Sequence, residues 1–400
     1  MQYPVIVIEL LLAVVVQAGS ILDWKAGDMV DYQTDAVRRY RSGSNWWWAI
    51  AKPGAWIIIG VFCLSAMAAP VEPEPNPSVR AKLPEHITPQ AQEAVDAGLA
   101  YLARTQGRDG AWRSNGRRGN YPVAMTSLAG LALLMNGNTT TQGPYASSVD
   151  RAARFLLGSV NDNGLIVRLG EHTSRSMHGH GFAMLFLGEL YGMTEDLDRQ
   201  KKIHRALSSA IDLTSRSQSR LGGWYYTPGS TNDEGSVTIT QVQGLRACRN
   251  AGLAVSKEVI DQAMNYLALS VNSDGGIKYR AGRPGASRSP ITAAAVCCWF
   301  NAGDYDNPMA RRALKFARQE ITVEKHQGHY YYAHLYLAQA LYLSGPGDWA
   351  AYFPKMRDHL IRLQDSEGAW MGDYVGKVYG TAIALVILQL PYNQLPIMQR

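Results

Sequence analysis

Gln106-Gly-Arg-Asp-Gly110-Ala-Trp112 recurs as Gln218-Ser-Arg-Leu-Gly222-Gly-Trp224 and again as Gln364-Asp-Ser-Glu-Gly368-Ala-Trp370. The shared pattern is Gln-x3-Gly-x-Trp. A remnant, Asp274-Gly-Gly-Ile277, stands where another copy would fall, and a fainter one is Asn163-Gly164. The residue types divide the work between them. Glycine permits the positive φ of a tight turn, and tryptophan folds back over it. The Gln amide has donors and an acceptor with which to tie loop carbonyls and N–H groups. The motif reads as a structural clasp fastening two helix ends.

Upstream of each loop, apolar residues spaced i, i+4, i+7 predict an amphipathic helix. The stripes are Val95, Leu99, Leu102; Val149, Ala153, Leu156; and Ile203, Leu207, Ala210. They continue as Val259, Ala263, Tyr266; Met309, Ala313, Phe316; and Met356, Leu360, Leu363. Downstream, segments apolar almost all round begin near Thr126, His180, Thr238, Thr292, Tyr332 and Thr381. Five end at a C-cap glycine, Gly137, Gly192, Gly252, Gly303 or Gly345, and the last runs into Pro391. A helix apolar on every side must be enclosed by protein. Six such pairs, with a period near fifty residues, predict an all-α (α/α)6 toroid over residues 89–400. Its amphipathic helices lie outside and its apolar ones inside, and closure removes the need for polar capping repeats. Strand signals are few, and no phosphate loop, zinc-finger spacing or hydrolase elbow is present.

Residues 1–68 read as an extension ending in a secretory signal. Arg38, Arg39, Arg41 and Lys52 precede an apolar run, Ala55 to Leu64, and Ala66-Met67-Ala68 has the small-x-small form of a cleavage site. A signal starting near residue 50 fits translation from Met29. Residues 69–88, with Val71-Glu-Pro-Glu-Pro-Asn-Pro77, read as a Pro-rich linker. The expected destination is secreted or periplasmic, with a membrane anchor if the signal stays uncleaved. Of 400 residues, 46% are hydrophobic, enough for one large core, and the net charge of +6 is spread along the chain. A nucleic-acid binder concentrates its basic groups on one face, so nucleic acid is not an expected partner. Cys248, Cys297 and Cys298 form no disulfide framework and read as core residues.

Gln-x3-Gly-x-Trp repeats in an all-helical chain resemble the QW motifs of squalene–hopene cyclases. The helix-pair unit is similar to the prenyltransferase/squalene-cyclase repeat over roughly residues 89–392. The runs Gly222-Gly-Trp-Tyr-Tyr226 and Tyr379-Gly-Thr-Ala382 most resemble prenyltransferase-repeat proteins of planctomycete-type bacteria. The resemblance implies an acid of the Asp-x-Asp-Asp-Thr type at an inner helix start. Here that element is reduced to Glu234-Gly-Ser-Val-Thr238, with Ser236 in the proton donor's place. A hydroxyl cannot protonate an unactivated alkene, so squalene or hopene cyclisation is not expected. The prenyltransferase zinc set has no match either, since Arg288-Ser-Pro-Ile-Thr292 lacks Asp-x-Cys. No cofactor and no metal are assigned.

Inner helix starts converge on one face of such a ring, and that face supplies the candidates. Glu234, Asp233 and Asp373 are the candidate acids. His178, His180, Trp224, Tyr226, Tyr331, His334 and Tyr379 are the candidate ligand contacts, with cavity lining expected of one or two residues from the His329–His334 run. His178 and His180 alone fix no metal, because no third ligand is set by spacing. Arg280 and Arg288 could receive an anion, but ordinary surface charge is the favoured reading of both. The leading reading is a cavity for an isoprenoid or lipid-like molecule, with peripheral membrane contact open. Its rivals are a carbohydrate-active α/α barrel, pairing Asp233 or Glu234 with Asp373, and a non-catalytic interaction ring.

Overall fold

The computed structural model describes residues 83–399 except 117–118, 169–172 and 327. The signal, its cleavage site and the linker as far as residue 82 lie outside the described residues. Among the described residues six outer helices are present: α1 (Pro89–Thr105), α3 (Ala146–Leu157), α5 (Leu197–Arg216), α7 (Lys257–Leu269), α9 (Pro308–Glu320) and α11 (Pro346–Leu363). Six inner helices alternate with them: α2 (Pro122–Met135), α4 (Ser176–Gly192), α6 (Gly235–Asn250), α8 (Ser289–Asn301), α10 (Tyr330–Ser344) and α12 (Lys377–Gln389). Each inner helix packs on the next, and α12 packs on α2, so the ring closes. Among the described residues no helix is long and apolar enough to cross a membrane.

The motif performs the same task three times. Gln106 Nε2 donates to Gly110 O (2.9 Å) within its loop and to Ser148 O (2.9 Å) on α3. Gln218 repeats this with Gly222 O (2.9 Å) and Val259 O (2.8 Å) on α7. Gln364 does so with Gly368 O (3.0 Å) and Ala94 O (2.8 Å) on α1, joining the last unit to the first. Each indole turns back to the outer helix before it: Trp112, Trp224 and Trp370 donate to Leu102 O, Thr214 O and Leu360 O at 2.7–2.8 Å. All three rings are fully buried.

The loop glycine is required twice over. Gly222 has φ of 93°, and a Cβ there would meet Gln262 O of the next outer helix at 2.1 Å. Gly110, Gly164, Gly275 and Gly368 share the positive φ and the approach to a neighbouring outer helix, so the faint second and fourth copies keep the turn. The fifth unit has no such loop. There Tyr330 Oη donates to Val323 O (2.8 Å), and His326 reaches α11 through His359 (3.1 Å between Nε2 atoms).

Two sequence expectations shift. Gly137, Gly252 and Gly303 close their helices with positive φ, but Gly192 is the last helical residue of α4 and Met193 is the cap. Leu363 is 37% exposed, because α11 ends there and the stripe's last position has rotated off the core. Cys248, Cys297 and Cys298 are buried in the inner layer. Across the ring, Gln243 of α6 donates to Gln339 of α10 (3.2 Å), about two turns below the inner helix starts. At the opposite end the C-terminal tail lies on the helix ends, with Gln394 beside Gly137 and Leu395, Ile397 and Met398 buried. The ring is therefore stopped below, and its cavity among the described residues opens near the inner helix starts.

Candidate functional site

One position recurs near the start of every inner helix: Thr126, His180, Thr238, Thr292, His334 and Thr381. In five units its side chain accepts the loop amide of Trp112, Ile166, Trp224, Ile277 or Trp370, at 2.8–3.1 Å. That bond aims the side chain outward. Two residues earlier is about 200° round the helix, on the face toward the ring axis. The residues there are Ala124, His178, Ser236, Pro290, Tyr332 and Tyr379, and all six line one cavity of about 910 Å³. A turn further in, the lining is apolar: Leu128, Phe182, Leu335 and Ile383. Tyr121 and His329 line the mouth with φ of 42° and 65°, left-handed conformations that cost a non-glycine residue about 1–3 kcal/mol.

One wall is polar. Glu234 caps α6, accepting from Ser236 N (2.9 Å) and Val237 N (2.6 Å), and it is completely buried. Ser236 Oγ donates its single proton to the same carboxylate (2.8 Å). His178 Nε2 lies 3.0 Å from Ser236 Oγ, so with that proton committed the imidazole must donate from Nε2. Nδ1 is then left as an acceptor, and no hydrogen bond engages it among the described residues. The ring is 27% exposed. Burial lowers the His178 pKa, opposed by the Glu234 charge and assisted by Arg175. Tyr226 and Tyr279 share a hydroxyl–hydroxyl hydrogen bond beside this group, and burial raises both phenols. Among the described residues no group of three or more His, Cys, Asp or Glu is arranged to hold a metal ion.

No family model matches the chain, and no curated protein matches it in sequence. Solved structures do match in shape. The GH76A α-1,6-mannanase from Salegentibacter superposes with a TM-score of 0.58 at 9% identity, covering 76% of this chain and 99% of its own. A type II terpene cyclase from Scytonema, in complex with its substrate geranylgeranyl dihydroxybenzoate, gives 0.52 at 14% identity, covering 76% and 98%. A D-mannose isomerase gives 0.55 at 11%, covering 77% and 99%.

This chain shares the α/α toroid fold of these proteins. At these identities the likeness establishes the fold alone.

Within the toroid, His178, Tyr226 and Tyr379 line the cavity. The other candidates do not. Trp224 is buried in its clasp. His180 takes the clasp role of the threonines, between Ile166 N and Thr214 Oγ1 (3.0 Å), and burial lowers its pKa to about 4. His334 sits at the same register, bonded to Tyr352 of α11 (2.9 Å). Tyr331 is buried away from the cavity; from the same run, Tyr332 and His329 face it instead. Asp233 turns back to accept from Ser219 Oγ (3.1 Å). Asp373 accepts the Tyr331 amide (3.3 Å), and burial raises its pKa. Glu234 does not itself line the cavity; it meets the lining residues Ser236, His178 and Tyr279 from behind. Sequence reasoning missed Tyr279 and Arg175, and it reached Tyr332 only as one of the His329–His334 run. The fifth unit has His334 and no hydroxyl at the clasp register, so counting back from the clasp threonines does not reach Tyr332.

Proposed function

We propose that this protein is an exported toroid that holds an isoprenoid or similarly lipid-like molecule in the cavity at the inner helix starts. The observation that carries this is the lining: an apolar floor from four inner helices beneath polar groups at the mouth, in a volume of about 910 Å³. Sites for organic ligands have this size and this mixture of apolar walls with a few placed polar groups. Nδ1 of His178 supplies an acceptor for a ligand hydroxyl. The sugar reading is weaker, because hydrolysis needs two carboxylates facing across a cleft. Asp233, Glu234 and Asp373 are instead engaged in the loops and caps around it. A plain interaction ring has no use for the space. Export, with cleavage after Ala68, rests on the sequence of the signal; terminal sequencing of the protein from its native host should begin at Ala69. Kinship to planctomycete-type prenyltransferase-repeat proteins belongs to the same proposal and rests on the wording of Gly222–Tyr226 and Tyr379–Ala382.

Displacement of a fluorescent isoprenoid analogue tests the ligand class. Geranylgeraniol should displace it and α-1,6-mannotriose should not. Ala124→Trp, which fills the cavity at the clasp-minus-two position, should abolish binding without lowering the melting temperature. Binding of mannotriose in place of geranylgeraniol, or unchanged binding by Ala124→Trp, would overturn the reading.

A further inference from the structure

The cavity's charge specifies its ligand further than its shape does. Arg168, Arg175 and Arg288 all line the cavity, two from the loop before α4 and one at the start of α8, and all three are exposed. None of them makes an ion pair among the described residues. Elsewhere on this protein arginines find carboxylates readily: Arg113 pairs with Asp109, Arg154 and Arg199 with Asp150, and Arg318 with Asp348. At the cavity, aromatic faces position two of the three guanidinium groups instead. Arg175 lies 5.0 Å over the Tyr226 ring and Arg168 5.8 Å over Phe155. Such stacking holds a cation in place while leaving its N–H donors available. The carboxylate that lines the same space is Glu320, while Glu234 is buried behind Ser236. The inner helices also start here, so their positive dipole ends add to the same potential. A neutral sugar or a hydrocarbon has no use for three cations, set above an apolar floor, that have no ion-pair partner among the described residues.

We infer that the ligand is an amphiphile with an anionic head, a carboxylate or a phosphate, held by Arg168, Arg175 and Arg288 while its apolar tail fills the floor at Leu128, Phe182, Leu335 and Ile383. This rests on the lipid-like reading above and names its headgroup.

The test compares geranylgeranyl diphosphate, geranylgeraniol and inorganic pyrophosphate for binding to the mature chain by displacement of the fluorescent probe. The diphosphate should bind at least about tenfold tighter than the alcohol, and the advantage should shrink as salt is raised. Arg175→Gln and Arg288→Gln should each weaken the diphosphate roughly tenfold, as loss of a charge-assisted bond does, and leave the alcohol within about twofold. Equal affinity for alcohol and diphosphate, or variants that weaken both alike, would overturn the headgroup assignment and leave the lipid reading standing. Pyrophosphate binding as tightly as the prenyl diphosphate would make this a free-anion site and overturn the amphiphile. Failure of both prenyl compounds would remove the lipid reading itself.

Discussion

Trp224 contributes in two separable ways, by filling the space between two helix layers and by donating Nε1–H to Thr214 O (2.7 Å). Trp224→Ala should therefore cost about 3–5 kcal/mol. Trp224→Phe keeps much of the apolar ring and should cost less, with most of the loss coming from the orphaned carbonyl. Thermal unfolding of both variants measures the split; equal losses would mean that the hydrogen bond dominates. The clasp was legible in sequence because Gln, Gly and Trp recur at fixed spacing. His180 was not, because one unit hands the threonine's task to an imidazole, and a histidine at a helix start looks like chemistry. Glu189 was not singled out at all. It sits in the last turn of α4, and burial pushes its pKa up to about 8. Between the usual carboxylate range and pH 8 the folded state keeps a proton that the unfolded chain gives up, so stability falls as pH rises through that window. Glu189→Gln should then stabilise the protein at pH 8 by on the order of 2–4 kcal/mol and do little at pH 4. Urea denaturation at both pH values decides it, and an equal effect at both would contradict the assignment.

At the scale of elements, the loops carry the packing instructions and the helix starts carry the site. Gly222→Ala places a Cβ against Gln262 O and forces a positive φ, so it should cost more than about 2 kcal/mol. Gly192→Ala is the control. That glycine ends α4 with nothing within 4 Å of an added Cβ, and alanine should be neutral or stabilise by up to about 1 kcal/mol. Comparable destabilisation by both would show that glycine's role here is not geometric. The alternation of amphipathic and wholly apolar helices was legible from periodicity, since 3.6-residue spacing survives any local variation. Which residue of each inner helix faces the axis was not, because a helix apolar all round has no preferred side. The clasp bond fixes its rotation, and with it the placement of His178, Ser236 and Tyr379. The fifth unit shows the limit: without the motif, its aromatic run could be phased by two positions either way, and Tyr331 and His334 went to the core.

For the whole molecule, closure does two things at once. Gln364 ties the last loop to α1, and Gln389 of α12 donates to Ala132 O of α2 (3.0 Å), so the ends of the repeat array satisfy each other. The same closure gathers six inner helix starts around one space, stopped from below by the Gln243–Gln339 bond and the C-terminal tail. The central claim is that this space is where the protein holds its ligand. Crystals grown with a bromine-labelled geranylgeranyl compound test it directly through the anomalous signal. The account predicts a bromine peak for the tail between Phe182, Leu335 and Ile383, and head density near Arg175. A peak on the outer helices, or no peak from crystals of protein shown to bind the compound in solution, would contradict it.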